Sequence, residues 1–454
     1  MPTVILPSTL VRLASGEPEL DLDGATAGEV LERLQERHPD LRGWVLDEQG
    51  RLRQHVHVFI NEDQGSLASS VGPEDRIHVI QAISGGAPEA AGAGEEAEVL
   101  VGTKKGLVVL RGRRGGAMEI AARHFPGQIV EYACRDPRTG RVFASVTHGQ
   151  FGPHLYWTDD LDAGEDAWHE AEGPAFPEDT GAAVSCIWVV EPGEEDGTLW
   201  AGVAPAALFK STDSGESWEL VRSLWDEPTR PEWQGGAGGL CLHTVCTWPG
   251  EPDKLAVAIS AAGVWITEDG GATWERGGKG LVPRYLPEEA REDTTMLCVH
   301  KMQRAPEKPE RLYMQFHGGV YRSEDGGRTW IDLASDGRLP ADFGFPIVVD
   351  PRDPERAWVI PLVADVDRVA VDGRVRVYET RDAGASWTAR QEGLPQEDAY
   401  ITLLRQAFCH DGRDPLGLYF GATSGEVFAS ADGGHTWTTA ADHLPPITSV
   451  RVGL

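Results

Sequence analysis

Short apolar runs, each bounded by turn-forming residues, fill most of the first 86 residues. Runs of this length with alternating apolar and polar positions are typical of strands. The predicted strands are Thr3–Leu6, Thr9–Leu13, His55–Asn61 and Arg76–Ile83. Pro7-Ser8 separates the first two, and Glu19–Asp23 closes a hairpin.

One segment of this region has helical spacing instead. Thr26 is placed to cap a helix whose Val30, Leu31 and Leu34 fall on one face. The helix is expected to end before Pro39, because the residue before a proline disfavours helical geometry. A β-β-α-β-β order within residues 1–86 predicts an α+β domain of the β-grasp type.

Residues 87–97 are small and polar, with no large apolar side chain. Such a segment cannot bury a core and is predicted to be a flexible linker. It would suit a protease that cuts after Gly86, and it would equally suit two domains that are simply fused.

A repeated pattern organises residues 98–454. Five segments match S/T-x-D-x-G-x-x-W, and we refer to them as the box segments. They are Ser211–Trp218, Thr267–Trp274, Ser323–Trp330, Thr380–Trp387 and Ser430–Trp437. Their aspartates are Asp213, Asp269, Asp325, Asp382 and Asp432, spaced by 56, 56, 57 and 50 positions, and their tryptophans are Trp218, Trp274, Trp330, Trp387 and Trp437. A degenerate sixth copy spans Thr158–Trp168, with Asp160 or Asp162 as its aspartate.

Each box segment is predicted to be a structural turn between two short strands. The aspartate accepts backbone N–H groups, the glycine supplies a positive φ angle, and the tryptophan packs beneath the turn. Strand-rich repeats of this length predict an all-β propeller over residues 98–454. Repeats begin near Gln128, Ala182, Gly239, Thr294, Phe343 and Tyr400. Residues 98–125 add three strands, and Ile447–Val452 can complete them, which favours seven blades over six.

The composition of the chain excludes some classes of binding partner. The 41 basic and 72 acidic residues give a net charge of −31, which disfavours nucleic acid and anionic membranes as partners. Neither a stretch of 18 apolar residues nor a secretory signal is visible, so a cytoplasmic location is expected. The six cysteines form no CxxC pair and are predicted to be buried free thiols, with no metal or cofactor.

The first domain resembles the MoaD/ThiS family of ubiquitin-like sulfur carriers, most closely the branch that serves cysteine biosynthesis. The resemblance rests on Thr26–Leu34 with His38-Pro39, on Val58–Asn61, on Gly72–Ile80 and on the closing Gly85-Gly86. It implies that the glycine carboxylate is adenylated by an E1-like activating enzyme and converted to a thiocarboxylate. Glycine suits a tail that threads a narrow channel, because it has no side chain to clash.

This chain departs from the family at one bond. Gly86 is joined to Ala87, and an internal peptide bond cannot be adenylated. Either a protease, for which a zinc-dependent JAMM-type isopeptidase is the candidate, releases residues 1–86, or the domain only docks a partner.

The box segments resemble the BNR repeats, or Asp-boxes, of sialidases, sortilin-like receptors and photosystem-assembly factors. They identify a fold rather than a chemistry. Sialidases also need an arginine trio, a Tyr-Glu nucleophile pair and an Arg-Ile-Pro motif, and that motif is not present. A sialidase-like activity is therefore disfavoured.

One set of polar residues is a candidate channel site. Counting back from the proline that follows each inner strand aligns Glu131, Cys186, His243 and His300. The histidines with Glu131 would suit a divalent metal, while a polar water-filled channel is the simpler interpretation. His148 and His317, each followed by glycine, form a weaker pair.

The sequence leaves three hypotheses. The chain is a sulfur-carrier precursor with an attached propeller, an uncleaved scaffold that docks an activating enzyme and an unknown propeller ligand, or a carbohydrate-active propeller. In the first two, the chain itself is predicted not to be an enzyme.

Overall fold

The structure is a computed structural model that describes residues 1–6, 10, 14, 17–41, 45–46, 50, 52, 56–61, 63–81, 96–236, 238–292, 294–364 and 366–453. It divides into two compact units, Met1–Glu89 and Ala90–Leu454. No helix in these described ranges has the length and apolar character needed to cross a bilayer.

A five-stranded sheet and one helix form the first unit. The strands are β1 (Thr3–Ile5), β2 (Glu19–Asp21), β3 (Val56–Ile60), β4 (Asp63–Gly65) and β5 (Arg76–Gln81), and the helix is α1 (Ala27–Arg37), followed by a 3₁₀ turn at Pro39–Leu41. The strand order is β2-β1-β5-β3-β4, with β1 and β5 parallel and the other pairs antiparallel. This is the predicted β-grasp arrangement.

Helix α1 forms as the sequence predicts. The Thr26 hydroxyl accepts a hydrogen bond from the Glu29 N–H at 3.3 Å, and the Glu29 carboxylate accepts one from the Ala25 N–H at 2.9 Å. This reciprocal cap satisfies N–H groups that the first helical turn would otherwise leave unpaired. The face with Val30, Leu31 and Leu34 is fully buried against the sheet.

The predicted strand Thr9–Leu13 lies almost entirely outside the described residues, so it stays a prediction. The predicted hairpin is present, with β2 as the partner of β1. Strand β4 was not predicted. It follows the turn at Asn61, where φ is 57°, and its three residues are too few to show an alternating pattern.

The second unit is built from short antiparallel strands. Its first two sheets in chain order contain β6 (Glu96–Thr103), β7 (Gly106–Arg113), β8 (Met118–His124), β9 (Ile129–Arg135), β10 (Val142–His148), β11 (Gly152–Thr158) and β12 (His169–Glu170). The next two contain β13 (Cys186–Pro192), β14 (Leu199–Ala204), β15 (Ala207–Ser211), β16 (Glu219–Leu220), β17 (Leu242–Trp248), β18 (Glu251–Ile259), β19 (Gly263–Thr267) and β20 (Glu275–Arg276).

The remaining strands continue the same pattern. They are β21 (Val299–Arg304), β22 (Leu312–Phe316), β23 (Gly319–Ser323), β24 (Ile331–Asp332), β25 (Gly344–Val349), β26 (Ala357–Pro361), β27 (Val377–Thr380), β28 (Thr388–Arg390), β29 (Phe408–His410), β30 (Leu418–Gly421), β31 (Val427–Ser430), β32 (Thr438–Ala441) and β33 (Ile447–Val452). Helix α2 (Arg222–Trp225) and 3₁₀ turns at Glu165–Ala167, Glu178–Thr180, Arg230–Glu232, Glu288–Ala290 and Val371–Gly373 lie in the connections.

These strands form seven four-stranded sheets within the described residues. In six of them the strands follow chain order, and the first strand contacts the first strand of the next sheet. The seventh has the order β33-β6-β7-β8, so the last strand of the chain pairs with the first strand of this unit, as the sequence predicted. Because β33 contacts both β29 and β9, the innermost strands form a closed ring.

Close packing between neighbouring sheets explains why position 202, in the second strand of one sheet, is a glycine. A Cβ on Gly202 of β14 would lie 2.5 Å from the backbone oxygen of Leu242 in β17. No side chain fits there without moving one sheet away from the other. The unit also begins earlier than expected, because β6 starts at Glu96, inside the segment 87–97 that was predicted to be linker.

Candidate functional site

The predicted carrier terminus, Gly85-Gly86, lies outside the described residues, as does Ala87. The last described residue before them is Gln81, which ends β5. Strand β5 pairs with both β1 and β3 and is therefore the central strand of the sheet. In the sequence, the segment that carries the two glycines thus follows the central strand of this sheet.

The box segments share one hydrogen-bonding pattern. In Thr267–Trp274, Asp269 accepts hydrogen bonds from the Thr267 hydroxyl at 2.8 Å and from the Thr273 N–H and hydroxyl at 2.8 and 2.6 Å. The Gly271 N–H donates to the Thr267 hydroxyl at 2.9 Å. Asp213, Asp325, Asp382 and Asp432 accept the same set of hydrogen bonds.

The sequence interpretation missed one member of this pattern. A Ser or Thr always stands directly before the tryptophan, and its hydroxyl donates to the aspartate; these residues are Ser217, Thr273, Thr329, Ser386 and Thr436. The constant hydroxyl position was visible in the repeat. The hydrogen bonds from the Thr273 hydroxyl and N–H lower the pKa of Asp269 to about 2.

The box tryptophans are placed similarly but not identically. Trp218, Trp330 and Trp437 donate from Nε1 to the backbone oxygen of the glycine three positions earlier, at 2.9 to 3.1 Å. Trp274 donates instead to the Ser223 hydroxyl at 3.0 Å, and Trp387 Nε1 has no hydrogen-bond partner among the described atoms. In the degenerate copy, Asp160 rather than Asp162 is the acceptor, because its carboxylate accepts the Asp162 N–H at 2.9 Å.

The innermost strands correct the sequence alignment of the channel residues. Strands β9, β13, β17 and β21 each carry a β-bulge, recognised by the shift in pairing register, at Glu131, Trp188, His243 and His300. Trp188, and not Cys186, therefore corresponds to the two histidines. Counting from the following proline misplaced it, because the sequence does not reveal where a bulge falls.

The structure does not assemble Glu131, His243 and His300 into one site. Glu131 lies 3.6 Å from the Lys104 ammonium. His243 is fully buried, and its two ring nitrogens lie 3.0 Å from the Thr244 hydroxyl and the Val299 carbonyl. Burial, with help from the charge of Arg405, places the pKa of His243 well below its usual value, so this ring is neutral.

His300 instead lies beside two other residues. The candidate ligand atoms of Cys298, His300 and His317 all lie within 4.8 Å of one another. In the described part of the chain this is the one group of three such side chains close enough to share an ion. His317 was predicted to pair with His148, whereas its ring contacts His300 at a centroid distance of 5.2 Å.

The side chain of Gln406 crosses the middle of the ring. Its amide nitrogen donates to the backbone oxygens of His243 at 2.8 Å and Trp188 at 3.3 Å. Its amide oxygen accepts from the Lys301 ammonium at 2.8 Å and also from the Arg451 guanidinium. Gln406 is only 2% exposed, so all the hydrogen-bonding capacity of this buried amide is used within the protein.

Beyond Gln406 lies a cavity of about 410 Å³ to which all seven innermost strands contribute. Its charged lining includes Lys301, Arg304, Arg451 and one carboxyl group, Glu191. Burial lowers the pKa of Lys301 to about 7 and raises the pKa of Glu191. Arg304 Nη1 and His410 Nδ1 have no hydrogen-bond partner among the described atoms, so both can bind a small polar ligand in this cavity.

The first unit has identifiable relatives. Residues 4–86 match the model of the ThiS family. Small archaeal modifier protein 1 of Haloferax volcanii is 32% identical over 68 residues, which cover 15% of this chain and 78% of that protein.

The second unit resembles a different class of protein. An oligoxyloglucan-reducing end-specific xyloglucanase of Emericella nidulans is 26% identical over 220 residues, 42% of this chain and 25% of that protein. The chain therefore spans about a quarter of the length of this relative. A crystal structure of an ancestral GH74 enzyme is 16% identical and covers 78% of this chain and 39% of that one, with a TM-score of 0.47.

The prediction that this chain is not an enzyme is contradicted by the likeness to a xyloglucanase, because that relative is an enzyme. The family of the first unit agrees with the one inferred from its motifs. Through residues 4–86, the chain belongs to the ThiS family of ubiquitin-like sulfur carriers.

Proposed function

We propose that residues 1–86 are a sulfur carrier that is made as the leading part of a longer precursor. The observation that carries this proposal is that the ThiS match ends at residue 86, the second glycine of Gly85-Gly86. Residues 87–97 would be the linker and residues 98–454 the attached domain. The proposed partners are an E1-like activating enzyme and a JAMM-type protease.

The proposed chemistry has three steps. Hydrolysis of the Gly86–Ala87 bond frees the Gly86 carboxylate. That carboxylate attacks the α-phosphate of ATP in the activating enzyme, which forms an acyl adenylate and releases pyrophosphate. Sulfide then attacks the acyl carbon and displaces AMP, which leaves a thiocarboxylate on Gly86 for cysteine or cofactor biosynthesis.

Intact-mass measurement tests the first step. The full chain is incubated with the protease and the activating enzyme, ATP and a sulfide donor. A fragment ending at Gly86 is expected, followed by a form heavier by the difference between sulfur and oxygen. Gly86→Ala should reduce both products, while Gly94→Ala in the linker should reduce neither.

Recovery of only the full-length chain under these conditions would overturn the precursor proposal. The first unit would then be a docking module for the activating enzyme, the scaffold hypothesis. A cut at another bond of the linker would overturn the proposed terminus as well, because no carboxylate would form on Gly86.

We further propose that the seven sheets of the second unit are the blades of a closed propeller. The box segments join the third and fourth strands of their sheets, far from the innermost strands, which supports a structural role for their aspartates and tryptophans. The sixth, degenerate copy occupies the same place between β11 and β12.

A second candidate function is activity of this unit on a carbohydrate, favoured by its 26% identity to a xyloglucanase. The test is incubation of the full chain with xyloglucan oligosaccharides and measurement of released sugars by mass spectrometry. A product that the heat-denatured chain does not form supports the activity. Unchanged substrate at high protein concentration argues against it.

A further inference from the structure

Cys298, His300 and His317 meet because three local features of the fold coincide. Cys298 and His300 are two positions apart and so share a side of the chain at the start of β21. A β-bulge falls at His300 itself. His317 stands in the turn between β22 and β23, and its N–H donates to the Cys298 carbonyl at 3.0 Å.

The spacing suits a metal ion. Tetrahedral zinc with two nitrogen ligands and one sulfur ligand holds those atoms roughly 3.3–3.6 Å apart. The three ligand atoms here already lie within 4.8 Å of one another, so only a small approach of these atoms is needed to reach that spacing.

His300 is oriented for coordination through Nε2. Its Nδ1 lies 2.6 Å from the Gly344 carbonyl oxygen, which can only accept, so Nδ1 carries the proton. The Nε2 lone pair is then left for a ligand, the arrangement in which metal-binding histidines are usually held. The ring stacks on Phe345 at 4.7 Å, with 21° between the planes, which limits its rotation.

The ligand types select the ion. Two imidazoles and a thiolate favour zinc and similar divalent transition metals over magnesium or calcium, which prefer oxygen. Arg405 supplies positive charge nearby, since its guanidinium lies 6.0 Å from the Phe345 ring centroid. The Cys298 thiolate is therefore needed to offset the charge of a dication.

We propose that Cys298, His300 and His317 bind a divalent transition metal of the zinc type. Three protein ligands leave one coordination position for water or a substrate atom. Cys298 and His317 are both partly exposed, so this position can be reached from solvent. Tyr285, whose ring lies 4.7 Å from that of His317, stands beside the site.

Cobalt titration of the full-length chain tests the proposal. The purified chain is stripped of metal with a chelator and titrated with Co²⁺, then with Zn²⁺. A single equivalent of Co²⁺ should give a near-ultraviolet thiolate-to-cobalt charge-transfer band and the visible bands of four-coordinate cobalt. Zn²⁺ should bleach both.

Four variants locate the ligands. Cys298→Ser should abolish the charge-transfer band, and His317→Gln should weaken cobalt binding by at least about tenfold. Cys409→Ser removes a buried thiol elsewhere, and His148→Gln changes the histidine that ends the second strand, β10, of another sheet; both should bind cobalt as the wild-type chain does.

Three results would overturn the proposal: no stoichiometric binding by the wild-type chain, a charge-transfer band that survives in Cys298→Ser, or unchanged affinity in His317→Gln. Thermal unfolding without metal checks that each variant folds. His317 lies in a partly exposed turn, so its variant keeps the test valid even if Cys298→Ser does not fold.

Discussion

The innermost strands of the second unit carry different chemistry at their two ends. Their starting ends bring Cys298, His300 and a turn histidine together, with Arg405 nearby. Their finishing ends surround a cavity of about 410 Å³ with cations and one carboxyl group. Gln406 lies between, donating to carbonyls of one end and accepting from Lys301 and Arg451 of the other.

This difference shows how a ring of similar strands holds two distinct sites. The repeated backbone sets equivalent positions around the ring, and four of the innermost strands carry a bulge at such a position. A single buried amide then separates the two ends, because it satisfies polar groups on both sides at once.

The largest expected effect is that of Gln406→Leu. The change removes the acceptor of the buried Lys301 ammonium, one acceptor of Arg451 and the donor to two backbone oxygens, and should lower the unfolding free energy by about 3 kcal/mol. Urea unfolding followed by tryptophan fluorescence measures this for the second unit, which contains 14 of the 15 tryptophans. The exposed Gln391→Leu is the control, and equal midpoints for Gln406→Leu and the wild type would contradict the role of Gln406.

Lys301→Met tests the cavity end. Burial first, and then the charge of Arg451, lowers the pKa of Lys301 from 10.5 to about 7, with Glu191, Cys246 and Arg405 also facing it. At a pH between these two pKa values, Lys301 keeps its proton in the unfolded chain and loses it in the folded one. The free energy of unfolding of the wild-type chain therefore rises with pH.

The variant should lack this rise, which amounts to about 2 kcal/mol between about pH 7.5 and pH 9.5. Urea unfolding at both pH values measures the difference. The exposed Lys105→Met should keep the wild-type slope. A Lys301→Met curve parallel to that of the wild type would show that the folded protein keeps Lys301 charged.

The thiols of the two ends should differ in reactivity. Cys298 is partly exposed, whereas Cys134, Cys246 and Cys409 are buried, and burial raises the pKa of each of these three to about 12. With a chelator present, iodoacetamide should modify Cys298 at least about tenfold faster than these three, because the reagent reaches a partly exposed sulfur and reacts only with the thiolate. Peptide mapping by mass spectrometry measures this order, and equal rates would remove the contrast.

The smallest effect is expected for Glu131→Gln. The Lys104–Glu131 pair is 3.6 Å long and its lysine side chain is 45% exposed, so its loss should change stability by less than about 0.5 kcal/mol. Urea unfolding measures this change. A loss well above that value would mean that Glu131 acts in the channel in a way that this contact does not explain.

Much of the fold followed from local pattern. Thr26 and the helix it caps, the strand at β3 and the turns of the box segments each depend on residues a few positions apart, so their physics is visible in the sequence. Strand β4 was not predicted, because three residues are too few to show an alternation of apolar and polar positions.

The candidate sites were harder to predict. Cys298 and His317 are 19 positions apart, and Gln406 contacts Trp188, 218 positions earlier. Such contacts depend on how sheets close into a ring. The misplacement of Cys186 has the same origin, since the position of a bulge is set by strand pairing.

The sequence by itself determined the two units, the family of the first and the repeating turns of the second, because short-range hydrogen bonds and alternating burial carry that information. Only the tertiary structure decided that His300 lies beside His317 rather than Glu131, and that Gln406 lies between the two ends of the innermost strands. Those outcomes depend on strand register and ring closure, which bring together residues that no local pattern connects.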